Sequence, residues 1–93
     1  MATFAVLWDY TGDAAVTEAS RAAHGAYVRQ LLDHGKLLEA GPWTDGSGAL
    51  LIFSVEDRAE LDGLIADDPY TTGGVIVRND VHEWKASLGL VTR

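Results

Sequence analysis

The sequence predicts an α+β domain with the element order β-α-β-β-α-β. Three observations carry that prediction. Apolar, β-branched or aromatic stretches of strand length recur four times. Proline-free segments with helical composition separate the first from the second and the third from the fourth. Turn signals built from Gly, Asp and Pro punctuate the boundaries.

The first strand is Thr3–Tyr10 (TFAVLWDY), closed by Thr11-Gly12-Asp13. Ala14–His34 follows as a helix whose first turn starts at Asp13 or Thr17. Gly35 supplies a natural stop for it, with His34 in the last turn, where a cation is favoured. Leu37–Trp43 (LLEAGPW) is a short second strand, and Asp45-Gly46-Ser47-Gly48 is a hairpin-type loop. Ala49–Val55 (ALLIFSV) reads as a buried strand. The second helix runs Glu56–Ala66, with acidic residues in its first turn, and Asp67-Asp68-Pro69 stops it. Tyr70–Gly74 is a turn, and Val75–Trp84 (VIVRNDVHEW) is the last strand.

Two helices interrupting four strands is the ferredoxin-like split βαβ arrangement: an antiparallel four-stranded sheet with both helices on one face. The 93 residues contain no repeat, linker or low-complexity segment and predict a single domain over 1–93. A chain of this size buries only about 60–65% of its unfolded surface. With no cysteine to staple it, the core needs extension. Strand alternation suggests how. Phe4, Val6, Trp8 and Tyr10 point one way, and Ala5 and Leu7 the other; Leu51, Phe53 and Val55 oppose Leu50 and Ile52. Two helices cover one sheet face, leaving the other apolar and open. The expectation is a homodimer through that open face, giving a dimeric α/β-barrel.

Composition excludes several functions. Fourteen acids against seven bases give a net charge of −7, which repels nucleic acid. The apolar runs Phe4–Trp8 and Ala49–Phe53 are far shorter than the ~20 residues that span a bilayer. No basic run suits an anionic membrane surface, and the N-terminal MATFAVLWDY lacks the marks of a signal peptide. The expectation is a cytoplasmic protein with a small-molecule partner. The absence of cysteine removes thiolate chemistry, and no two of His24, His34 and His82 have compact metal-ligand spacing. No metal and no cofactor are expected.

His24 is the reactive candidate. It lies mid-helix on a stripe with Tyr27, Val28 and Leu31, and with Arg21 one turn before it. The plain reading is a core-edge histidine making one hydrogen bond. The functional reading is a general acid or base, since imidazole titrates near neutrality. Asp67-Asp68-Pro69-Tyr70 is the second candidate. Asp-Pro commonly ends helices, yet a carboxylate here, Asp67 or Asp68, is able to orient a histidine on the first helix. Glu39-Ala40-Gly41-Pro42-Trp43 is the third: either a strand terminus or a pocket wall, with Trp43 as a flat surface for a planar ligand. Backbone amides near Gly41 or Gly74 are placed to stabilise developing negative charge. Arg21 and Arg78 are candidates to hold an anionic group, or are simply solvated charges. His34 reads as a helix-end residue, and His82 as structural or interfacial.

Taken together, these segments resemble the YCII-related (YciI-like) family. The matching features are Arg21-Ala22-Ala23-His24 with Tyr27 and Leu31, Gly35-Lys36-Leu37-Leu38-Glu39-Ala40-Gly41-Pro42, and Asp68-Pro69-Tyr70 with Gly74-Val75. Their order and spacing match over about residues 3–85. The resemblance implies a ferredoxin-like dimeric α/β-barrel fold and a His–Asp active site, His24 matching the histidine and Asp68 the aspartate. Tyr27, Gly41, Pro42, Trp43, Tyr70 and Gly74 join Arg21 as the expected substrate-binding set. Two features depart from the pattern: Ala22 stands where many members carry Pro, and the Gly41–Gly48 loop is short. The expected activity is cofactor-free proton transfer on a small planar or enolisable metabolite, as isomerase, lyase or dehydrochlorinase. The alternatives are a non-catalytic dimeric metabolite-binding or accessory module and, more remotely, haem-linked or cofactor-free oxygenation.

Overall fold

The computed structural model of the chain describes residues 1–89. Its elements run β1 (Ala2–Tyr10), α1 (Ala14–Asp33), β2 (Leu37–Pro42), β3 (Gly48–Val55), α2 (Arg58–Asp67), α3 (Pro69–Thr72) and β4 (Ile76–Glu83). The four strands form one antiparallel sheet in the order β2-β3-β1-β4. That order is the ferredoxin-like one, as the sequence predicts.

Local chemistry sets the helix ends. Asp13 caps α1, its Oδ1 accepting from the amides of Ala15 at 3.0 Å and Val16 at 3.3 Å. At the other end Gly35 takes φ +73°, and two crossing bonds, Lys36 N to Leu31 O and Gly35 N to Leu32 O, close a Schellman motif. The second helix begins at Arg58 rather than Glu56, because the Asp57 side chain accepts from the Glu60 amide and so becomes the cap. The clearest departure lies at 69–72, where the expected turn is the short helix α3. Among the described residues there are therefore three helices, not two. Asp68 and Pro69 do both jobs: Asp68 ends α2, then caps α3 by accepting from the Tyr70 amide at 2.8 Å, with Pro69 at the first helical position.

The core lies between the helices and one sheet face. Phe4, Val6 and Trp8 of β1 face Phe53, Leu51 and Ala49 of β3 in register. Leu31 of α1, Leu61 and Ile65 of α2, Tyr70 of α3 and Val75 close over them. On the opposite face, the pairs Ala5↔Ile52 and Leu7↔Leu50 make a small apolar patch. Ile52 is already buried there, while Ala5, Leu7 and Leu50 are half-buried. No helix among the described residues is long and apolar enough to cross a membrane.

Candidate active site

The fold brings the middle of α1 against the junction between α2 and α3. His24 Nδ1 lies 2.7 Å from Asp68 Oδ1. Asp68 is 2% exposed, the one buried charged residue among those described. A buried carboxylate requires partners, and a single oxygen has two: the His24 imidazole and the Tyr70 amide. Asp67, the alternative from the sequence, is exposed.

The pairing fixes the ring chemistry. As a carboxylate, Asp68 only accepts, so His24 donates from Nδ1, and in the neutral ring the lone pair is then the one on Nε2. The ring plane is fixed as well. Tyr70 stacks on it with centroids 3.7 Å apart and planes within 4°, and Trp8 lies at 6.2 Å on a tilt. Trp8 is anchored in turn by an indole N–H bond of 2.8 Å to Asn79 Oδ1 on β4. One hydrogen bond and one stacked ring together hold the imidazole in this orientation.

His24 lines a cavity of about 190 Å³ under the β2–β3 end of the sheet. Its walls are Trp8, Tyr10, Val28, Gly41 and Pro42, with Ala40, Ala49 and Leu51 at the base. An apolar cavity of roughly 150 Å³ takes up benzene, so one ring fits here. The only other hydrogen-bonding side chains in the lining are those of Trp8, whose N–H is already used, and Tyr10. Tyr10 meets Tyr70 edge-on at 5.5 Å. Burial, with Tyr70 and Asp68 adding to it, pushes the Tyr10 phenol up to about 12. It is a neutral donor at physiological pH.

The residues expected from sequence divide by position. His24, Asp68 and Tyr70 converge, and Gly41 and Pro42 form cavity wall. Tyr27 donates from its hydroxyl to the Leu64 carbonyl at 2.6 Å, tying α1 to α2. Burial, with nearby Asp67 and Asp68, raises its ionisation above the ordinary value. Arg21 pairs with Glu18 at 2.9 Å on the exposed side of α1, and lines an outer groove of about 740 Å³. Trp43 lies partly exposed beyond the end of β2, and Gly74 takes φ +76° in the turn before β4; neither lines the cavity. Arg78 pairs with Asp80 on β4, and His82 is exposed beside Ala5 on the opposite sheet face. Trp8 and Tyr10 line the cavity without belonging to any of the sequence motifs; strand alternation, which puts both on the helix-facing side, is their one signal in the sequence.

Fold and cavity together define a ferredoxin-like α+β domain with an immobilised imidazole in a ring-sized pocket. The YCII-related domain model matches residues 2–85, and the chain belongs to that family. No curated protein matches it. Among solved structures it is similar to 5-chloro-2-hydroxyhydroquinone dehydrochlorinase from Burkholderia phenoliruptrix AC1100, in complex with 2,5-dihydroxybenzoquinone. The TM-score is 0.78 at 26% identity, over 89% of this chain and 93% of that one.

Proposed function

We propose that this protein is a small-molecule enzyme in which His24, oriented by Asp68, transfers a proton on a single planar oxygenated ring. The observation that carries the proposal is the 2.7 Å bond from His24 Nδ1 to buried Asp68 on the wall of a ring-sized cavity. The bond leaves Nε2 as the base. Family membership and similarity to a dehydrochlorinase support a reaction on a ring.

For a halogenated hydroxyhydroquinone the step balances without a cofactor. His24 takes a proton from one ring hydroxyl, whose electrons form a carbonyl, and returns a proton to the ring carbon that bears the halogen, making it tetrahedral. A second hydroxyl then gives its proton to His24 and becomes a carbonyl, its electrons shifting through the ring as the carbon–halogen bonding pair leaves with the halide. Net loss is HX, and the ring ends as a quinone. Asp68 stabilises the imidazolium formed on the way. The Gly41 backbone beside the cavity allows close approach of a ring.

The test is halide release and quinone absorbance with chlorinated hydroxyhydroquinones. His24→Asn is expected to lower kcat by roughly 10²- to 10⁴-fold while preserving the fold. Asp68→Asn is expected to cause a similar loss, because an amide donating to Nδ1 forces the opposite tautomer. Wild-type rates in both variants reject the assignment. Binding without turnover by the wild type across the panel points instead to a metabolite-binding module. The working unit in this proposal is a homodimer, with the Ala5, Leu7, Leu50 and Ile52 patch covered by a second copy.

A further inference from the structure

We propose that the Tyr10 hydroxyl is a ligand-binding group, donating a hydrogen bond to an oxygen of the ring held beside His24. The proposal rests on reading this cavity as the ligand site. Three observations carry it.

First, the Tyr10 phenol has no hydrogen-bond partner among the described residues, whereas the Tyr27 phenol is used in full by the Leu64 carbonyl. Secondly, no buried polar side-chain atom among the described residues lacks a partner. The Tyr10 oxygen is therefore not sealed in the core, and is open to an incoming molecule. Thirdly, Tyr10 lines both the inner cavity and the outer groove, and so stands at the boundary between them. Its ring is held there by edge contact with Tyr70, which in turn stacks on His24. A phenol is protonated across the neutral range, and burial pushes this one further up, to about 12. A rigid neutral donor at the mouth of an apolar ring-sized cavity selects rings that carry a hydroxyl or carbonyl oxygen. Bare rings gain nothing from it.

Equilibrium binding separates this from the acid–base reading, since turnover does not enter the measurement and a His24→Ala background removes the imidazole from it. Phenol, 2,5-dihydroxybenzoquinone and benzene are titrated into the wild type and Tyr10→Phe, followed by NMR shifts of cavity residues. Tyr10→Phe keeps the ring against Tyr70 and removes one oxygen. The expected result is a roughly three- to ten-fold weaker Kd for the two oxygenated rings, with benzene unchanged. The same discrimination is expected in a His24→Ala background. Equal affinities in wild type and Tyr10→Phe, or equal loss for all three rings, overturn the proposal. So does failure of the wild type to bind either oxygenated ring. Loss of turnover in His24→Asn with no Tyr10 effect on binding leaves the acid–base reading standing alone.

Discussion

Asp68 joins structure and chemistry through one oxygen. Its Oδ1 accepts from the Tyr70 amide, which starts α3, and from His24 Nδ1, which sets the imidazole. Asp68→Ala is therefore expected to lose a helix cap, about 1–2 kcal/mol in urea unfolding, and to free the histidine ring. Tyr10 supplies a second prediction at this scale. Unfolded tyrosine ionises near 10 and folded Tyr10 at about 12, so above pH 10 the unfolded state releases its proton first. Stability from Tyr10 is complete below pH 10 and lost as pH rises toward 12. Over that window the wild type is expected to lose more stability than Tyr10→Phe, and the phenolate absorbance that grows in near pH 12 should be smaller in the variant. Legibility in the sequence differed among these side chains. His24 was readable because an imidazole on a packing stripe is unusual. Arg21 illustrates the limit: three residues on a helix turn about 300°, so Arg21 sits on the flank of His24, where Glu18 engages it.

At the scale of elements, the site depends on how α3 docks. A Cβ at Gly73 would meet the Ser20 hydroxyl on α1 and the Pro69 carbonyl. Gly73→Ala is expected to push α3 from α1, destabilise the fold by about 1–3 kcal/mol and broaden the His24 and Tyr70 NMR signals. The Lys36–Glu60 contact at 2.7 Å ties the start of β2 to α2. Its hydrogen bond lowers the ionisation of Glu60 and raises that of Lys36. With Glu60 depressed, its contribution is present above the ordinary glutamate range and lost as pH falls through the lowered value. With Lys36 raised, its part is lost only as pH climbs past the ordinary lysine value. The melting-temperature gap between wild type and Glu60→Gln should hold through neutral pH and close in acid. The sequence rendered the long elements well, because period-2 and helical patterns are strong in β1, β3 and α1. It missed α3 because Asp-Pro signals a helix stop and a helix start with the same residues.

Across the whole molecule, the thin core and the cavity draw on the same strands. Leu61 is fully buried in that core, and Leu61→Ala is expected to cost about 2–5 kcal/mol, measured by urea unfolding. The sheet face away from the helices carries the Ala5, Leu7, Leu50 and Ile52 patch. The proposed second copy predicts a dimer mass by light scattering, and a monomer mass for Leu7→Glu. The sequence made the two-faced sheet legible through alternation alone. It did not make the cavity legible, because the cavity forms where β1, β2 and β3 meet α1, an arrangement set by register rather than by any local motif. The position of a bound ring tests the His24–Asp68 site most directly. A crystal structure with 2,5-dihydroxybenzoquinone is predicted to show the ring in the Trp8–Tyr10–Pro42 cavity, one oxygen within about 2.6–3.2 Å of His24 Nε2. A ring bound elsewhere, or His24 turned away from Asp68 in the complex, would contradict it.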